Sequence, residues 1–154
     1  MRSTALSAQS EARRRVLAAA RSFLGTPFHD HGRVKHVGVD CAQLLCLVYA
    51  EAGIIPEFDP GYYPVQQFLH DHAEREIMIG FVSRFAREIP EAEVKPGDVV
   101  LYQIARAYAH AAIVVDWPGE VIHAHKLSNR VIAMPAFAYD MEGRKTRFFS
   151  FWTT

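Results

Sequence analysis

Two cysteines in 154 residues are too few for a scaffold built on disulfides. Cys41 and Cys46 stand five apart on one expected helix, so their side chains point to different sides and cannot bridge. Both are expected as free thiols. Net charge is also lacking: seventeen basic residues cancel seventeen acidic ones, and the pI is about 7.1. That balance argues against a nucleic-acid-binding protein, which carries a basic stripe. The run Arg13-Arg14-Arg15 is short and shares a helix with Arg21, so a solvated helix face is expected. No apolar stretch reaches the roughly 18 residues of a membrane span, so no membrane insertion is expected. Residues 1–15 lack the apolar segment of a secretory signal, and the chain is therefore expected to be made in the cytoplasm. Neither H-E-x-x-H nor paired C-x-x-C motifs occur. No repeat, low-complexity stretch or linker divides the chain, so one domain over residues 1–154 is expected, with half its residues hydrophobic and 12% aromatic.

What is present falls into two halves. Residues 10–24 have an apolar side (Val16, Leu17, Ala20, Phe23, Leu24) opposite the arginines, which predicts an amphipathic helix ended by Gly25. A loop rich in glycine and histidine runs to Gly38. Residues 41–52 are apolar nearly all round, as a buried helix is, and Gly53 follows as a C-terminal cap. A turn-rich connector runs from Pro56 to Pro64, and Phe68, Leu69, Ile77, Phe81, Val82 and Phe85 predict one or two helices over 65–89. After Pro96-Gly97 the periodicity changes to short β-branched runs at 98–104, 110–116, 120–126 and 130–134, with turn signals between them, and residues 146–152 offer a further strand. Helices followed by an antiparallel meander predict an α+β domain.

The residue best placed for chemistry is Cys41. Asp40 is a good N-cap, and Gln43 completes a D-x-x-Q capping box, which sets Cys41 on the first turn of its helix. There the macrodipole and unpaired amides favour thiolate. Cys46, in mid-helix among leucines, reads as core. A cysteine nucleophile needs a base, and the base an orienting group. His110 opens an apolar strand, and a hairpin about Pro118-Gly119 pairs it with residue 126 or 127. His123 and His125 then share one face near the same end of the sheet. His29, His31, His36, His70 and His72 read as loop or helix-surface residues. A zinc site built from His110, His123 and His125 is the alternative use of the same residues.

Four segments in order resemble the NlpC-type branch of papain-like cysteine peptidases, which cut peptide bonds in bacterial peptidoglycan. Gly25-Thr26-Pro27-Phe28 resembles the family's G-T-P-Y. Val39-Asp40-Cys41-Ala42-Gln43-Leu44 resembles its D-C-S-G-L helix start. Pro96-Gly97-Asp98-Val99-Val100-Leu101-Tyr102 resembles P-G-D-L-V-F-F. His110-Ala111-Ala112-Ile113-Val114 and Val121-Ile122-His123-Ala124 resemble H-V-G-I-Y and M-I-H-A. The resemblance implies a papain-like fold with a helical insert at about 56–93. It implies Cys41 as nucleophile, His110 as base, His123 as the orienting residue and the Cys41 backbone N–H as oxyanion donor, with no metal or organic cofactor. Phe28 stands where the family has tyrosine and lacks its hydroxyl, which removes one oxyanion donor. The implied substrate is a peptidoglycan stem peptide. The insert and the Phe28-His29-Asp30-His31-Gly32 spelling resemble the phage-tail branch, which implies tail hub or tip proteins as partners and a virion location. A tail-tip structural protein that keeps the fold without the activity is a further expectation.

Overall fold

A computed structural model describes residues 2–61, 63 and 76–152. Helix α1 (Arg2–Ser22) is followed by a two-strand ribbon, β1 (Arg33–Val34) and β2 (Gly38–Val39), and by helix α2 (Cys41–Glu51). Helix α3 (Ile77–Ser83) precedes β3 (Arg87–Ile89), β4 (Val99–Ile104), β5 (Ala107–Asp116), β6 (Glu120–His125), β7 (Arg130–Met134) and β8 (Thr146–Ser150). Strands β3 to β8 form one antiparallel sheet in the order β3-β8-β4-β5-β6-β7. The expected α+β architecture is therefore the observed one.

Alternation along the strands divides the sheet into two faces. Val99, Leu101, Ala111, Ile113, Ile122 and Phe149 pack with Val16 and Ala20 of α1, with Phe23 just beyond its end, and with Leu44, Val48 and Tyr49 of α2. Val100, Tyr102, Ala112, Val114, Val121 and Phe148 form a second cluster on the other side, closed by Ala136 and Met141. A fully buried Leu44 or Ile113 contributes about 1.5–3 kcal/mol of apolar transfer. Ala52 caps α2, and Gly53 takes φ +75°, the left-handed turn that glycine adopts without a Cβ clash.

Several expectations change. Helix α1 begins eight residues earlier than residue 10 and ends at Ser22, which leaves Leu24 outside it and 38% exposed. The arginine run is not one solvated face. Arg13 is nearly buried, and its Nη1 donates to Asp98 Oδ1 and to Pro96 O, both at 2.9 Å. Arg15 Nε donates to Ala52 O at 3.0 Å, while Arg14 pairs in solvent with Glu11. A long side chain at a helix–sheet junction can bury its stem and still satisfy its head. Of the helices expected over 65–89, residues 64–75, with Phe68, Leu69, His70 and His72, lie outside the described residues. Residues 87–89 are a strand, paired antiparallel with β8. Pro90 follows, and the residue before a proline is held extended.

Candidate active site

The Asp40 carboxylate sets the geometry. With φ −105° and ψ −177°, Asp40 is the extended N-cap of α2, and its Oδ1 accepts the Gln43 N–H at 2.9 Å. Its Oδ2 accepts the His31 N–H at 2.8 Å and the Tyr63 hydroxyl at 2.6 Å. One buried carboxylate thus ties the helix start, the preceding loop and the connector together. The capping box is only half made: the Gln43 side chain turns to Arg33, whose Nη1 donates to Oε1 at 2.9 Å. An arginine within reach supplies a charge-assisted bond that the backbone N–H of the cap cannot match. His31, expected as a plain loop residue, takes φ 63°, packs its ring 4.6 Å from that of Tyr63, and holds Tyr63 O from Nε2 at 2.7 Å.

Cys41 follows on the first turn, 4% exposed. Its sulfur lies 4.0 Å from Ala109 O, and the Ala111 N–H is directed at it. The β5–β6 ladder explains this position. It runs from Asp116↔Glu120 to Ile113↔Ile122 and stops there, although β5 reaches back to Ala107 and β6 on to His125. In an antiparallel strand, Ala109 and Ala111 turn their N–H and C=O groups to the same side, which here is the β6 side. The sulfur occupies the fork where the two strands part. It therefore sits at the level of the sheet, next to the backbone on both sides of His110.

The sequence reading that the helix end favours thiolate is corrected. The Cys41 thiol is pushed up to about 12, chiefly by burial and then by the Asp40 charge, and the amides of Ala111, Ala42 and Cys41 offset this only in part. Desolvation acts against the charged form more strongly than a helix end supports it. Cys46 is likewise raised to about 11 by burial. Tyr63, Ile77, Met78 and Phe81 enclose the thiol, leaving about 10 Å³ beside it, room for one water at most.

His110, His123 and His125 lie on the sheet face opposite α2, all at most 2% exposed. His110 Nε2 is 2.6 Å from His123 Nδ1, with ring planes at 76°. His123, rather than His125, therefore meets His110. Burial, followed by the charges of His110 and His125, pushes His123 down to about 2, so it is neutral at any physiological pH. Its Nε2 is buried with no hydrogen-bond partner among the described residues. The expected pairing of His110 with residue 126 or 127 is off by at least one. A bulge between Val114 and Asp116 shifts the register, so that Ile113 faces Ile122, and continuing that register puts residue 125 opposite His110.

His125 has its own partners, Ser128 Oγ at Nδ1 and Asp140 Oδ1 at Nε2, each at 2.6 Å. Sequence reading missed Tyr63, Ser128 and Asp140, since each lies outside the strands and α-helices, where there is no periodic signal. These contacts do not form the zinc alternative. Two nitrogens on one tetrahedral zinc ion would stand about 3.3 Å apart, whereas the His110–His123 pair at 2.6 Å shares a proton. Among the described residues no group of three or more His, Cys, Asp or Glu side chains is arranged to hold a metal ion. Phe28 bridges Val39 in parallel and donates its N–H to Asn129 O at 3.0 Å, so it borders the nucleophile loop. His29 and His36 are exposed, as expected.

Comparison with known proteins bears on the family and the fold. The model of the NlpC/P60 family matches residues 25–148. No curated protein matches the chain. The NlpC/p60 domain of the peptidoglycan hydrolase SagA is 19% identical, with 88% of this chain and 96% of that one covered and a TM-score of 0.60. The peptidoglycan hydrolase RipB from Mycobacterium tuberculosis is 19% identical over 94% of this chain and 67% of its own, at a TM-score of 0.62. RipD of the same organism is 16% identical, with 90% and 96% covered and a TM-score of 0.58; it is described as a non-catalytic domain adapted to peptidoglycan binding. No helix among the described residues is long and apolar enough to cross a membrane.

Proposed function

The chain belongs to the NlpC/P60 family, and on that premise we propose that it is a cysteine peptidase hydrolysing amide bonds in peptidoglycan stem peptides. The observation that carries the reading is the sulfur of Cys41 in the β5–β6 fork, against the main chain of the residues on either side of His110, whose Nε2 is held by His123. The fold alone would not carry it, since one similar domain is described as non-catalytic.

With Nε2 engaged, the atom of His110 nearest its own backbone, Nδ1, is the one that takes the thiol proton. The sulfur then attacks the amide carbonyl carbon, and the Cys41 N–H donates to the oxyanion. As the C–N bond breaks, the imidazolium returns the proton to the leaving amine, and a thioester remains. Water, deprotonated by His110, cleaves the thioester and restores the thiol. His123 stays neutral throughout and orients His110. Phe28 brings no hydroxyl, so oxyanion support rests on backbone donors. Substrate entry displaces Tyr63 and the α3 side chains from the sulfur.

The test is mass spectrometry of muropeptides after incubation of purified peptidoglycan with the wild-type chain. New products differing by one water at a stem-peptide bond are expected, and an unchanged muropeptide profile would overturn the reading in favour of a binding or assembly role. The finer proposal is a phage or prophage tail component acting on the host wall, supported by the insert after residue 56 and the Phe28-to-Gly32 spelling. Peptide mapping of purified virions is expected to find the chain in the tail fraction; its absence there would exclude that role.

A further inference from the structure

Behind the His110–His123 couple stands a hydrogen-bonded set that this mechanism leaves unused. His125 Nε2 lies 2.6 Å from Asp140 Oδ1, and Nδ1 lies 2.6 Å from Ser128 Oγ. An ionised carboxylate only accepts, so the proton is on His125 Nε2. The His125 ring is 4.8 Å from that of His123 at 32°, and Tyr139 packs 5.9 Å from His125 at 31°. Three imidazoles therefore stand in a row that ends at a carboxylate.

The couple itself shows why this matters. One proton lies between His110 Nε2 and His123 Nδ1. If His123 donates it, neutral His110 carries its own proton on Nδ1 and cannot take the thiol's. If His110 donates it, Nδ1 is bare and ready, but His123 must keep its proton on Nε2. That nitrogen is buried and without a partner among the described residues, and an unmet buried donor costs about 1–3 kcal/mol. The couple alone is biased toward the unproductive arrangement. A negative charge on the far side of His123 counters the bias, because it stabilises both the Nε2–H form of His123 and the imidazolium that forms on His110. Asp140 has that effect: its field favours a proton on His123, against burial and the other two histidines.

We propose that His125 and Asp140 are positioning residues for the Cys41–His110–His123 site, with Asp140 supplying the negative charge that the three imidazoles lack and His125 holding it against His123. The proposal rests on the peptidase reading. Among the described residues, the other titratable or charged groups facing the row include Tyr102 of β4 at 5.9 Å from His110, Tyr139, Arg130 of β7, which stands opposite His125 in the sheet, and Arg144, whose Nε donates to the Asp140 main-chain oxygen at 2.6 Å; Cys41 of α2 lies against the β5 main chain on either side of His110. None of these replaces the Asp140 side-chain charge.

The experiment is the rate of Cys41 alkylation by iodoacetamide as a function of pH, read by mass spectrometry on the full chain, together with kcat and KM on muropeptides. Asp140→Asn keeps an oxygen acceptor for His125 and removes only the charge. Since the Asp140 side chain is 40% exposed, the fold tolerates the change. For Asp140→Asn we expect the acid-side midpoint of the reactivity profile, where His110 becomes free to act as base, to move down by about one pH unit, and the plateau rate near pH 7 to fall about tenfold because the imidazolium is no longer supported. We also expect kcat to fall with KM unchanged, and Asp140→Glu to restore most of the loss. A wild type that reacts readily while the Asp140→Asn profile superimposes, or loses rate with no shift of midpoint, overturns this inference and leaves the peptidase reading standing. A wild-type Cys41 no faster than an ordinary buried thiol removes the peptidase reading, and this inference with it.

Discussion

Cys41→Ala is expected to abolish stem-peptide cleavage, and His110→Gln to lower kcat about 10³-fold, the range spanned by loss of a positioned general base. Both follow from the position of the thiol. Burial raises it to about 12, so without help only about one molecule in 10⁵ holds a thiolate at pH 7. Nucleophilicity must therefore come from proton transfer to a base at the moment of attack rather than from a standing charge. On the proposed mechanism His110, whose neighbours Ala109 and Ala111 touch the sulfur, receives that proton. Glutamine at 110 can still hydrogen-bond His123, so the β5 environment survives while the base is gone. Steady-state cleavage of a defined muropeptide checks this, with circular dichroism confirming the fold. A His110→Gln rate within threefold of wild type would remove the general-base role, and residual cleavage by Cys41→Ala would remove the nucleophile.

The reason for needing that base was the part hardest to read from the chain. Sequence fixes Cys41 beside a capping aspartate, and the helix duly starts there, because N-cap chemistry acts over three residues. Whether the thiol is charged depends on what covers it, and Tyr63, Ile77, Met78 and Phe81 come from distant segments. Strands β4 to β8 were legible because alternation and turn residues are local signals. The one-residue shift beside His110 was not, since a bulge between Val114 and Asp116 leaves no mark in the spelling. His110 and His123 were found through period two and the hairpin turn. Ser128 and Asp140 were not, because a turn residue bonded to a strand histidine has no periodicity to reveal it. The arginine run shows the same limit: three adjacent side chains on one helix met three surroundings, buried carboxylate, helix-end carbonyl and solvent.

Asp40→Ala is expected to destabilise the fold by about 3–5 kcal/mol, a large share of the marginal stability of a domain this size. Three losses combine. The cap on the Gln43 N–H contributes about 1 kcal/mol. The Tyr63 hydroxyl, on a residue 5% exposed, and the His31 N–H both lose their acceptor, at about 1–3 kcal/mol for each group left buried. At roughly 2–4 °C per kcal/mol, the melting temperature should fall by about 10–15 °C. Tyr63→Phe removes one donor and leaves Oδ2 still bonded to His31, so it should lose only about 1 kcal/mol. Asp40→Asn should fall between the two, because an amide can serve Gln43 through its oxygen but turns its NH₂ toward the His31 N–H. Urea melts of the three variants test the ranking, and an Asp40→Ala protein within 1 kcal/mol of wild type would show that the carboxylate is not the tie assigned to it. The same variant should lose more activity than its fraction unfolded explains. The sulfur stands in the β5–β6 fork only while the first turn of α2 is held, and a displacement of about 1 Å at a nucleophile can lower a rate about 100-fold.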